Sequence, residues 1–168
     1  ESGVNLIDTA EQYPIPSGRD SGTKEGDTER LIGDWMKNRK VRREDVVIST
    51  KITGGPNVTP RNIRADLEGS LKRLQTDYVD VYLTHWPQRY SPQSNWGQSL
   101  SYDLSVEEAY RRGYQPTSFE DLCATMGSLV DEGKIRGWGL CNDNAYGLTA
   151  CTRTAKALGT APPCTVSV

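Results

Sequence analysis

Histidine is almost missing from this sequence: one stands among 168 residues, at position 85. Cysteine is sparse too. The four, Cys123, Cys141, Cys151 and Cys164, are widely spaced and form no C-x-x-C pair. These scarcities argue against a metal site and against a disulfide framework, so the thiols read as reduced in a cytosolic protein. No apolar run approaches the ~20 residues needed to span a bilayer, and no basic-then-apolar leader opens the chain, so no membrane partner is expected. An excess of either charge is lacking as well. Twenty Lys and Arg face 22 Asp and Glu, a net charge of −2. That excludes a general nucleic-acid binder and an acidic tail. The chain begins with Glu1 rather than methionine and is expected to be trimmed or partial.

What is present is a repeating rhythm. The length suffices for one domain with a sizeable core. Short runs rich in Val and Ile recur at Val4–Ile7, Val46–Ser49, Tyr78–Leu83, Ile135–Leu140 and Thr165–Val168. Each is too short for a free-standing helix and has the composition of a buried strand. The segments between them read as helices. Thr28–Arg39 gathers Leu31, Ile32, Trp35 and Met36, with Asp27 as its expected N-cap. Thr59–Gln75 opens with Thr59 as cap and Pro60 in the first turn, and Glu68 stands four residues before Lys72. A capping-box spacing at Thr117–Glu120 opens a helix running to Glu132 and ending at Gly133. Ala145–Leu158 is the last, stopped by Gly159.

Strands alternating with helices imply a parallel sheet with right-handed crossovers. Two arrangements suit the pattern. An open doubly wound sheet would be complete with five strands. A (β/α)8 barrel needs eight, so this chain would hold only part of one. No G-x-G-x-x-G follows the first strand, which weakens the dinucleotide-binding version of the open sheet. One segment, 88–116, breaks the rhythm and carries Tyr90, Trp96, Tyr102, Tyr110 and Tyr114. A short helix is expected from Ser105, which has capping-box spacing to Glu108. Its aromatic content favours a binding loop over a disordered linker.

The strand ends carry the chemistry. Asp8 closes the first strand, Lys51 the second, His85 and Trp86 follow the third, and Cys141 and Asn142 end the fourth. In a parallel sheet these ends share one edge, and in a barrel they ring the mouth where active sites are built. Tyr13 lies just after the first. Singly, each has a bland reading: a turn cap, a solvated lysine, a structural histidine, a packing aromatic. Together they make chemical sense. A tyrosine near its reference pKa of ~10 is a poor acid at neutral pH, and a nearby ammonium would lower that value. A carboxylate would fix the lysine, and an imidazole would orient a carbonyl. Such a proton donor beside a hydride source reduces an aldehyde or ketone. The side chains offer no hydride, so a nicotinamide cofactor is required.

The stretches "GVNLIDTAEQY", "VVISTK", "VDVYLTHWP" and "GKIRGWGLCN" resemble, in order, the motifs of the aldo/keto reductases, NADPH-dependent carbonyl reductases built on a (β/α)8 barrel. The resemblance covers nearly the whole chain, and the segment after "LTHWPQR" is similar to the branch with an extended loop. It implies that Asp8, Tyr13, Lys51 and His85 are the catalytic tetrad, with Tyr13 as general acid. It implies that Trp86 walls the substrate pocket, that Asn142 binds the nicotinamide carboxamide, and that Cys141 stands where the family usually has serine. NADPH is the implied cofactor, NADH a possible one, and a small carbonyl compound the implied substrate. The matched stretch corresponds to barrel strands two to six. Residues 1–168 are therefore expected to be one domain truncated at both ends, with an extended loop at 88–116. A cofactor-contacting glutamine would fall after Val168, with the basic residues for the 2′-phosphate later still. Five strands alone leave two open edges, so this stretch alone is expected to be poorly folded or aggregation-prone and catalytically weak or dead. Two other functional readings stand beside the reductase. One is a non-enzymatic regulatory subunit, since some members of the family serve ion channels. The other is an unrelated open α/β binding domain.

Overall fold

A computed structural model of the chain describes residues 3–15, 18, 21–92 and 101–167. The five strands among them are β1 (Leu6–Asp8), β2 (Val47–Ile52), β3 (Val79–Thr84), β4 (Ile135–Cys141) and β5 (Thr165–Ser167). They pair in the order β1-β2-β3-β4-β5, every neighbour parallel. A doubly wound sheet reverses its strand order at a switch point, whereas a barrel adds each strand beside the last. The sequential order therefore identifies an arc of a (β/α) barrel and sets the open doubly wound sheet aside.

The helices are α1 (Asp27–Asn38), α2 (Pro60–Leu74), α3 (Leu104–Gly113), α4 (Phe119–Asp131) and α5 (Ala145–Leu158). Strand side chains alternate between two faces. Ile48, Ile52, Tyr82, Trp138 and Leu140 join the core built with Ile63, Leu67, Met126 and Leu129 of the helices. On the alternate positions lie Ser49, Lys51, Leu83 and Gly139. Gly139 has no room for a side chain, since a Cβ there would lie 2.4 Å from the Thr165 carbonyl oxygen.

Several boundaries differ from the sequence reading. β1 begins two residues later than expected, in register with Val47. β2 runs on to Ile52 because β3 supplies Leu83 and Thr84 as partners for Lys51 and Ile52. Val168 lies outside the described residues. Helix α1 is capped by Gly26 in the left-handed conformation, not by Asp27. Asp27 instead turns its carboxylate back to accept from the Lys24 amide at 2.7 Å. Helix α4 is capped by Ser118, which accepts from the Asp121 amide at 3.0 Å. Thr117 is drawn away to donate to the Val58 carbonyl at 2.5 Å. Thr59 and Pro60 start α2 as expected, the threonine accepting from the Asn62 amide at 3.2 Å. Gly159 ends α5 at φ 69°.

The described parts of segment 88–116, residues 88–92 and 101–116, are more ordered than the sequence suggests. α3 starts one residue before Ser105, because Asp103 is the better cap and accepts from the Ser105 and Val106 amides. Tyr110 and Tyr114 meet edge-on at 5.2 Å, as do Tyr90 and Tyr102 at 5.3 Å. The Tyr114 hydroxyl donates to the Gln88 carbonyl at 2.8 Å and lies 3.3 Å from that of Gly55, tying the segment to the loop after β2. Trp96 is outside the described residues.

One buried network holds α1 against the sheet. Glu29 is fully buried and accepts from the Thr50 hydroxyl and from Arg73 Nε of α2, both at 2.6 Å. Among the described residues no helix is long and apolar enough to cross a membrane.

Candidate active site

The parallel sheet brings Asp8, Lys51, His85, Cys141 and Asn142 to one edge, at the C-terminal ends of β1 to β4. Lys51 is 2% exposed, and its ammonium donates to Asp8 Oδ2 at 2.5 Å and to the Thr9 carbonyl at 2.9 Å. Asp8, half exposed, keeps its other face toward solvent. The chain after β1 then folds back, with the Tyr13 amide bonded to the Ala10 carbonyl at 3.0 Å. The Tyr13 carbonyl accepts from the Gly26 and Thr28 amides at 3.1 and 3.3 Å. These amides belong to the start of α1, where backbone donors lack partners within the helix. The Glu29 network thus steadies the helix end that holds Tyr13.

The Tyr13 ring centroid stands 5.4 Å from Lys51 Nζ, and 5.6 Å from the His85 ring at 74°. All four members of the expected tetrad therefore meet. Lys51 faces the ring of Tyr13, a cation–π arrangement. Among the described residues no hydrogen bond joins its amine to the Tyr13 hydroxyl.

The electrostatics depart from expectation at Tyr13. Burial, helped by the Asp8 carboxylate and the Cys141 thiol, pushes its hydroxyl above the ordinary tyrosine value. The expected acidification by lysine is not seen. The reason is geometric: the ammonium is turned to Asp8 and the Thr9 carbonyl, so a carboxylate cancels much of its field at the phenol. His85 behaves oppositely. Burial, with Lys51 beside it, holds its imidazole down to about 4. It is therefore neutral at pH 7, with Nδ1 buried and unbonded.

The residues expected on the cofactor side sit next to it. Asn142 follows β4 at φ 55°, and its side-chain amide donates to the His85 carbonyl at 2.9 Å and toward Cys141 Sγ at 3.4 Å. Burial pushes the Cys141 thiol up. Trp86 stacks on His85, centroids 6.1 Å apart at 22°. Its backbone fits against Gly54, where a Cβ would lie 2.2 Å from Trp86 Cβ. A cavity of about 770 Å³ lies between α3 and the first turns of α4 and α5, walled by Tyr102, Tyr110, Phe119 and Tyr146 among others. None of the four tetrad residues lines it.

Three participants escaped the sequence reading. Thr9 contributes only its carbonyl, which no side-chain pattern reveals. Glu11, its carboxyl raised by burial, accepts from the Thr53 amide and ties the Tyr13 loop to the end of β2. Arg89 pairs with Asp143 across 54 positions of sequence. The only signal for that pair is that each follows a site residue closely.

The comparisons bear on the family and the fold. The chain matches the profile of the Aldo/keto reductase family over residues 1–166. It is 35% identical to Protein tas of Escherichia coli (strain K12) over 157 residues, 87% of this chain and 42% of that protein. It is 30% identical to the NADH-specific methylglyoxal reductase of the same organism over 160 residues, 85% of this chain and 38% of that one. A crystal structure of an aldo-keto reductase from Klebsiella pneumoniae in complex with NADPH superposes with a TM-score of 0.62 at 28% identity. It covers 92% of this chain, which spans 40% of that structure. The chain thus spans less than half the length of the relatives it matches. With a profile match over residues 1–166 and a barrel-type strand order, the chain belongs to the aldo/keto reductase family.

Proposed function

We propose that this chain carries the proton-transfer half of an NAD(P)H-dependent reduction of aldehydes or ketones to alcohols. The observation that carries the reading is the meeting of Tyr13, Lys51, Asp8 and His85 at one sheet edge. A nicotinamide cofactor supplies the hydride when bound. The residues at the mouth fit such a group. Asn142 commits its NH2 to the His85 carbonyl, which leaves its own carbonyl as an acceptor for a carboxamide. NADPH is the favoured cofactor, since the Klebsiella neighbour binds it, with NADH kept open by the methylglyoxal reductase.

In this reading Tyr13 gives its hydroxyl proton to the carbonyl oxygen as that atom gains negative charge. Its upward shift makes the resting phenol a weaker acid than a free tyrosine, so the charge that builds on the carbonyl oxygen has to draw the proton across. Lys51 stands over the ring of the phenolate that results, with most of its field offset by Asp8. Asp8 and the Thr9 carbonyl hold that ammonium in place. His85 is neutral, and a buried lone pair is less costly than a buried orphan N–H. We assign its proton to Nε2, from which it would orient the substrate oxygen. Trp86, stacked on His85, would form the adjoining wall. We further infer that residues 1–168 correspond to strands two to six of the eight-stranded barrel.

The test is a paired measurement of NADPH oxidation with a simple aldehyde and of NADPH binding by fluorescence, in the parent and in Tyr13→Phe. Loss of turnover with binding retained supports the assignment. Equal turnover removes Tyr13 from the chemistry.

A further inference from the structure

The tetrad leaves one buried cluster unexplained. Just past β3 and β4 the chain is zipped together by polar contacts. The first tooth is the Asn142 amide on the His85 carbonyl. Four residues beyond His85, the Arg89 guanidinium closes on Asp143 with two bonds, Nη1 to Oδ2 at 3.1 Å and Nη2 to Oδ1 at 2.6 Å. Nη2 also reaches Asn144 Oδ1 at 3.2 Å, and that same oxygen caps α5 by accepting from the Gly147 amide at 3.1 Å.

The pair is largely buried, with Arg89 edging the cavity beside α3. The Asp143 side chain is 1% exposed and that of Arg89 15%. The guanidinium carbon stands 5.3 Å from the Phe119 ring and 5.4 Å from that of Tyr146. Gly147 lies against the pair, and a Cβ there would lie 2.3 Å from Asp143 Oδ1 and 2.5 Å from Arg89 Nη2. The glycine leaves room that the ion pair fills.

Stability alone is a weak reason for such a pair, since the attraction of two buried charges does little more than offset their lost hydration. Geometry gives a better one. Asn142 sits in the left-handed region at φ 55°, which a residue with a side chain holds only when its surroundings dictate it. They do so from both sides. The Asn142 amide N–H is bonded to the Ser167 carbonyl at 2.9 Å, and the next residue is Asp143, locked to Arg89.

We propose that Arg89 and Asp143 are positioning residues that hold the Asn142 amide against the His85 carbonyl, keeping the cofactor-facing and carbonyl-facing sides of the mouth in register. The proposal rests on the reductase reading above. Neither residue touches the reacting atoms in it. Their effect passes through Asn142 and His85, where a displacement of about 1 Å can cost up to ~10²-fold.

The experiment compares the parent with Asp143→Asn, Arg89→Ala and Gly147→Ala. The last is a wedge: alanine favours a helix over glycine, so any loosening it causes comes from the clash with the pair. Hydrogen exchange is read over 85–90 and 142–148, and NADPH affinity by fluorescence titration. The expected result is exchange about tenfold faster in both segments, with NADPH affinity about tenfold weaker and the tetrad intact. Should Asp143→Asn fail to fold, Gly147→Ala and Arg89→Lys carry the test. Unchanged exchange overturns the proposal. Faster exchange with unchanged affinity also overturns it, leaving the pair a local fastening only. Where residues 1–168 alone bind too little NADPH to titrate, the same variants are compared in the eight-stranded protein that contains them, and a parent there that binds no NADPH overturns the reductase reading and the positioning role with it.

Discussion

At the scale of single residues, the site turns on who owns the charge of Lys51. Its ammonium lies 2.5 Å from an Asp8 oxygen, so the pair presents little net field to the phenol. Asp8 itself is among the causes that raise Tyr13. Replacing Asp8 with Asn should therefore bring the Tyr13 titration down, read as the near-ultraviolet tyrosinate signal that Tyr13→Phe abolishes. An unchanged midpoint would show that burial alone sets the phenol. His85 makes a second expectation. Its folded value, about 4, lies below the unfolded value near 6.5. The unfolded chain thus binds the proton more readily across that window, so stability rises with pH there. The contribution is fully present above pH ~6.5 and is lost as pH falls through about 4. Urea midpoints between those limits should fall with acid in the parent and stay flatter in His85→Gln. The direction of the Tyr13 shift was not legible in the sequence. Charge types can be read from a string of residues, but which neighbour a charge is spent on depends on ångströms.

At the scale of elements, the sheet was largely legible and the helix starts only partly so. Short runs rich in Val and Ile located all five strands; burial accounts for that composition in β2, β3 and β4, whereas β1 and β5 carry it on largely exposed strands. Thr59 before Pro60 fixed the start of α2 for the same local reason. Asp27, Thr117 and Ser105 were expected as caps and are not, because a nearby residue won each time: Gly26 and Ser118 one position away, Asp103 two. Competing hydrogen bonds to Lys24 and Val58 decided the first two, the one a local turn and the other a partner set by the tertiary fold. The Glu29 network belongs at this scale as well. It joins α1, β2 and α2, and α1 in turn holds the Tyr13 carbonyl. Glu29→Ala strands Arg73 and Thr50 inside, so it should cost about 3 kcal/mol in urea unfolding, against about 1 or less for a surface glutamate. A loss no larger than the surface control would mean that Arg73 finds water or another partner.

At the scale of the whole molecule, the four strand ends were readable as one site because a parallel sheet places equivalent ends together. What could not be read was the second fastening, Arg89 to Asp143, whose members are 54 residues apart and follow no local period. The outermost described strands, β1 and β5, are three residues each and carry Leu6 and Val166 at 57% and 40% exposure. Apolar, unpaired edges of this kind are where a sheet seeks a further strand. Protein tas and the Klebsiella reductase are each about twice as long or more. Catalysis by these 168 residues alone is accordingly expected to be weak or dead, so the ratio is taken in the eight-stranded protein that contains them wherever the stretch alone gives no rate. That ratio is the most direct test: NADPH-dependent aldehyde reduction by the parent over that by Tyr13→Phe, at matched cofactor occupancy. A proton donor is worth about 10²–10⁴-fold. The account expects a fall of that size with NADPH affinity unchanged, and equal rates in the two proteins would contradict it.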